Sequence, residues 1–87
     1  MEFKNIDYEI MLMNYVSKLL TSGQEKKATK LVREKEDIIE KLKNCLQDLE
    51  KIGTYEIGTI DIYNIGNYWS IDRISIFKDN KFLTNII

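Results

Sequence analysis

The sequence predicts an α+β fold: an N-terminal antiparallel helical hairpin, short helix then long, followed by a three-stranded antiparallel β-meander. Apolar residues recur with helical spacing up to Ile52, whereas β-branched and aromatic residues punctuated by turn signals dominate after Gly53. No stretch reads as a linker or a repeat. The 87 residues are therefore expected to form one domain, 1–87, with the hairpin over 6–52 and the sheet over 54–87.

The first helix is expected from Ile6 to Thr21, with Asn5 as N-cap and Asp7 and Glu9 in the first turn, where the helix dipole favours carboxylates. Its apolar side chains fall into two bands. Ile6, Ile10, Met13, Val16 and Leu20 make one; Tyr8, Met11, Leu12, Tyr15 and Leu19 make the other. Only Asp7, Asn14 and Lys18 mark a polar strip, and so wide an apolar arc calls for two covering partners. Gly23 suits a left-handed C-terminal cap, and Ser22 followed by Glu25 reads as a capping box for the next helix. So short a connection makes the two helices antiparallel neighbours.

The second helix is expected to run unbroken from Gln24 to Ile52, with Lys51 in its last turn. Its apolar residues fit heptads: Ala28, Leu42 and Leu49 at a, Leu31, Ile38, Cys45 and Ile52 at d, Val32, Ile39 and Leu46 at e. Lys35 is the one charge at an a position. At ~1.5 Å per residue this helix would outrun the first by several turns. The stretch from Leu42 to Ile52 then needs cover from the sheet or from a second chain. Leu42, Cys45, Leu46 and Leu49 are accordingly the expected homodimer interface.

Strands are expected over 55–63, 68–78 and 81–86, joined by Asn64-Ile65-Gly66-Asn67 and by a two-residue Asp79-Asn80 turn. With Tyr63 opposite Tyr68, Ile60, Ile62, Trp69 and Ile71 share one face, and Tyr55, Ile57, Ile74 and Ile76 the other. Apolar residues on both faces exceed what a monomer of this size covers. The apolar end, Leu83 to Ile87, is expected to dock as an edge strand or between subunits.

Charge and composition narrow the chemistry. Thirteen basic against 14 acidic residues, net −1, argue against a dedicated polyanion binder. The chain has no histidine and one cysteine, so a nucleophile lacks its usual base, a metal lacks its usual ligands and no disulfide can form. At a d position, Cys45 reads as a buried, inert thiol. Asp61 and Asp72, with Glu56 nearby, are the one candidate carboxylate pair. In the register above Asp61 opposes Ser70, and Arg73 is at hand as a partner, so the acids read as solvated. Gly53, Gly58 and Gly66 are too scattered for a phosphate-cradling loop. The expectation is a protein without enzymatic activity, cofactor or metal. The uncharged run from Ile10 to Ser17 is too short for a signal peptide and far below a membrane span of roughly 20 residues, so a cytoplasmic location is expected.

Two surfaces remain for function. Tyr55, Tyr63, Tyr68, Trp69, Phe77 and Phe82 crowd the sheet; the first four are the expected contacts for a protein partner. Lys26, Lys30 and Arg33 share an outer helix face suited to phosphates, although Asp37 and Glu40 turn the same face acidic. The leading expectation is a homodimeric, non-catalytic protein-binding module. Small size, a coding bias toward Ile, Lys and Asn, and no catalytic residues form a profile shared by many phage-encoded inhibitors of host or defence proteins, anti-CRISPR proteins included. The alternative is a small nucleic-acid-binding or transcription-regulating protein that uses the basic stretch.

Overall fold

A computed structural model describes residues 7–47, 53–66 and 68–86, except for the side chains of Asn64, Ile65 and Trp69. Helices α1 (Tyr8–Thr21), α2 (Glu25–Arg33) and α3 (Lys35–Leu46) precede strands β1 (Tyr55–Ile65), β2 (Tyr68–Lys78) and β3 (Lys81–Ile86). The strands form one antiparallel sheet in the order β1-β2-β3. The α+β class and the three-stranded meander are as expected. The long second helix is not: there are three helices among the described residues.

The ends of α1 follow from its sequence with small corrections. Asp7, not Asn5, is the N-cap, and its Oδ1 accepts the Ile10 N–H at 3.0 Å; Asn5 lies outside the described residues. At the other end Gly23 takes φ 81°, the Gln24 N–H donates to the Leu19 carbonyl at 2.8 Å and the Gly23 N–H to Leu20 at 3.2 Å. These two bonds make a Schellman closure. Ser22 is consumed by it, its hydroxyl donating back to the Leu19 carbonyl at 3.1 Å. The expected capping box therefore does not form, and α2 starts from Gln24 with no side-chain cap.

The break between α2 and α3 sits at Glu34, with φ −101° and ψ 21°, immediately before the charge that interrupted the heptads. An unbroken helix would hold Lys35 on the buried seam, where an ammonium is costly. Instead its Nζ meets Glu9 Oε1 of α1 at 3.1 Å, with both side chains substantially exposed. Beyond the break the buried line becomes Ile38, Leu42 and Leu46, each fully buried. Steps of four residues drift away from the heptad, so Cys45 turns outward and is exposed. The expected buried thiol is thus corrected. Leu49 and Lys51, like the rest of the expected continuation to Ile52, lie outside the described residues.

The sheet corrects the expected register. Tyr68 pairs with Ile65, Ser70 with Tyr63, Ile71 with Ile62, Arg73 with Asp61 and Ile74 with Ile60. Irregularities fall between Ile57 and Thr59 and between Asp61 and Ile62. Each adds one residue to one strand and flips the alternation beyond it. The result gathers Tyr55, Ile57 and Ile60 of β1 with Ile74 and Ile76 of β2 in the core, with Ile62 and Ile71 packed against it. The sheet thus gathers on one face the described isoleucines that the unbulged register spread over two.

That face meets Met11, Leu12, Tyr15, Val16 and Leu19 of α1, Ala28 and Leu31 of α2, and the α3 line, in a core that also includes Ile86 of β3. Helix α1 contacts α2, α3 and β1, and α3 reaches β3. No buried polar side-chain atom lacks a hydrogen-bond partner among the described residues.

Candidate interaction surfaces

The strongest polar attachment between helix and sheet is one the sequence pattern did not reveal. The Tyr15 hydroxyl accepts the Ile60 N–H at 3.1 Å and lies 3.3 Å from Thr59 Oγ1, just past the first bulge. Lys27 Nζ sits 5.7 Å from the centroid of the same ring. Burial is the largest influence on this phenol and raises its pKa, but the bonds to Ile60 and Thr59 and the charge of Lys27 outweigh it. The net pKa lies below the ordinary value. Tyr8 goes the other way, raised by burial first and by Tyr55 second. In the sequence Tyr15 was only one of a band of apolar positions, because its partner's amide is made available by a bulge.

The aromatic surface divides. Tyr63 is 54% exposed, Tyr68 68% and Phe82 58%. Tyr63 and Ser70 pair one step out from the core pair Ile62–Ile71, so they face away from the helices. On the same side the Phe77 ring lies over Gly58 of β1, where a Cβ would overlap it, and meets Phe82 edge-on at 5.9 Å. Tyr55 departs from expectation: it is in the core, with Lys78 Nζ 5.6 Å from its ring centroid. The side chain of Trp69 lies outside those described.

The expected dimer interface also changes. Leu42 and Leu46 are fully buried within one chain, so they offer nothing to a second. Cys45 is exposed beside Leu83, Thr84, Asn85 and Ile86 of β3. Exposed aliphatic residues lie instead on α1, where Ile10 (57%), Met13 and Leu20 (53%) share the face opposite the core. This is the outward part of the first apolar band; Val16 of that band is buried.

The candidate carboxylates Asp61 and Asp72 were expected to be solvated, with Arg73 at hand as a partner, and Arg73 does pair with Asp61. Asp61 Oδ2 accepts from Arg73 at 3.2 Å (Nε) and 2.9 Å (Nη2), while Asp72 is the extra residue of the second bulge. Lys18 and Glu56 form a further, longer pair at 3.8 Å. Both pairs are largely solvated and hold the surface together only weakly. Among the described residues no group of three potential ligands is placed to hold a metal. No described helix is long and apolar enough to cross a membrane.

The basic stretch occupies α2, where Lys26, Lys27, Lys30 and Arg33 stand against the single acid Glu25. Lys26 and Arg33 are exposed, Lys30 is partly covered and Lys27 leans on Tyr15. The break at Glu34 ends the run, and α3 opens with Glu36 and Asp37.

A cleft of ≈ 270 Å³ lies where α2 and α3 meet, opposite the start of β2. It is lined by Glu34, Asp37, Lys41, Tyr68, Ser70 and Ile71. No known protein family, curated protein or solved structure matches this chain.

Proposed function

We propose that this chain is a non-catalytic protein-binding module acting through the aromatic, helix-free side of its sheet. The observation that carries this reading is the pair of exposed rings Tyr63 and Phe82, with Phe77 edge-on to Phe82, on strands whose other side packs its buried isoleucines into the core with the helices. Large, stiff rings standing in water suit the anchor positions of a protein interface. The more specific reading is an inhibitor of a host or defence protein of the kind phages encode, supported by size and composition alone.

Self-association is part of the proposal, with its surface moved to Ile10, Met13 and Leu20 of α1. The test is affinity capture from host lysate at low and high salt. A partner retained at high salt, and lost with Tyr63→Ser plus Phe82→Ser in a folded protein, supports this reading. Unchanged capture by that variant overturns it. Salt-sensitive recovery of DNA or RNA, abolished when Lys26 and Arg33 are neutralised, selects the nucleic-acid reading favoured by the basic α2.

A further inference from the structure

The outer face of α1 has the spacing of a two-stranded seam. Ile10, Met13, Ser17 and Leu20 follow one another by steps of three, four and three residues, and all four are exposed in the single chain. This is the a/d pattern of a coiled coil, carried over about 15 Å of helix at ~1.5 Å per residue.

Two properties of the seam are self-complementary, and both require a reversal of direction. The first is size. Met13 is long and Ser17 is small, while Ile10 and Leu20 at the two ends match in volume. A second α1 laid antiparallel about the middle of the seam sets Met13 against Ser17 twice, and Ile10 against Leu20 twice. A parallel copy would crowd Met13 against Met13 and leave a gap between the two Ser17 side chains.

The second property is charge. The polar strip beside the seam runs from Asp7 through Asn14 to Lys18, all three exposed. It is acidic at the N-terminal end of α1, neutral in the middle and basic toward the C-terminal end. Lys18 makes only the long contact to Glu56 at 3.8 Å, with its side chain 66% exposed. On the other flank Glu9 is matched within the chain by Lys35. Antiparallel helices bring the acidic end of each strip alongside the basic end of the other, and they also oppose the two helix dipoles. Parallel helices align like charge with like.

We propose that the occupant of this face is a second copy of the chain, its α1 crossing antiparallel with Met13 of each copy seated on Ser17 of the other. A face complementary to itself in size and in charge is what a two-fold contact between identical chains requires. The pairing rests on the self-association within the protein-binding reading and specifies its orientation.

Disulfide trapping reads that orientation, using full-length chains that carry Cys45→Ser and either Ile10→Cys or Leu20→Cys. Both positions are exposed, so neither change enters the core. In an equal mixture oxidised with glutathione, the crosslink between positions 10 and 20 should exceed either like-with-like crosslink about ten-fold, because a disulfide needs Cα atoms within ~7 Å. In the otherwise unaltered chain, Lys18→Glu should weaken association several-fold at low salt and less at high salt. Dominant like-with-like crosslinks overturn the proposal in favour of a parallel pair, and leave self-association in place. Crosslinks in the statistical ratio, no crosslinks, or association indifferent to Lys18→Glu also overturn it. A monomeric mass for the unaltered chain at micromolar concentration removes self-association and orientation together. The aromatic reading fails separately, through unchanged capture by the Tyr63 and Phe82 variant.

Discussion

Single side chains carry more of this architecture than the hydrophobic pattern suggests. Tyr15 is a core residue by burial, yet its hydroxyl serves the Ile60 amide. Tyr15→Phe keeps the ring and orphans a buried donor, which costs ~1–3 kcal/mol and should appear as a lower midpoint in chemical denaturation. The lowered phenol pKa adds a pH signature. Between that value and the unfolded value of about 10, the unfolded chain binds a proton that the folded chain does not. The Tyr15 contribution therefore grows as pH rises through this window and is lost as pH falls back through the folded value. Tyr8, raised by burial and by Tyr55, contributes stability that is lost above about pH 10. The stability gap between wild type and Tyr15→Phe should widen as pH rises toward about 10; a constant gap would contradict the assignment. Leu42 is fully buried, so Leu42→Asp should unfold the chain at every concentration. A folded monomeric Leu42→Asp protein, seen by near-UV circular dichroism, would restore the side chain to a dimer interface.

Two elements are shaped by one or two residues each. Lys35 accounts for two helices where periodicity alone implies one, because its charge meets Glu9 rather than the core. In β1, Gly58 performs the equivalent task for the sheet. It lies at the bulge and leaves room for the Phe77 ring across the strand. Gly58→Ala should destabilise by ~1–3 kcal/mol through overpacking. If ring overlap is the cause, adding Phe77→Leu should cost less than the two single changes summed, as a double-mutant cycle would reveal. Strict additivity would place the cost in the backbone of the bulge instead. The Asp79-Asn80 turn needed no such correction. Both residues adopt positive φ, 51° and 67°, as a tight hairpin requires. Asp79 also bonds across to Thr54, its carboxylate accepting the Thr54 N–H at 2.8 Å.

At the scale of the molecule, the bulges and the helix break remove most of the argument for obligatory pairing of chains. One chain covers Leu42 and Leu46, and one sheet face holds nearly all the strand isoleucines that are buried. The remaining case for self-association is the α1 face. Ile10→Glu with Leu20→Glu should reduce a dimeric mass to a monomeric one in light scattering and leave the thermal midpoint nearly unchanged, since both residues are exposed in the single chain. A wild-type monomer at micromolar concentration would remove dimerisation from the proposal.

The sequence by itself determined the α+β class, the glycine-closed turn after α1 and the three strands nearly to the residue. These depend on local periodicity, on glycine at positive φ and on turn residues, which act over a few positions. Legibility failed wherever one residue decides the phase of many. A bulge at Gly58 or Asp72 leaves the strand pattern readable but exchanges its faces, so Tyr55 moved inward and the residue opposite Asp61 became Arg73 in place of Ser70. A charge at position 35 leaves the helical period readable but redirects the residues after it, so Cys45 moved outward. Only the packed structure decided those phases, because the energy that selects them comes from contacts between helix and sheet residues far apart in the chain.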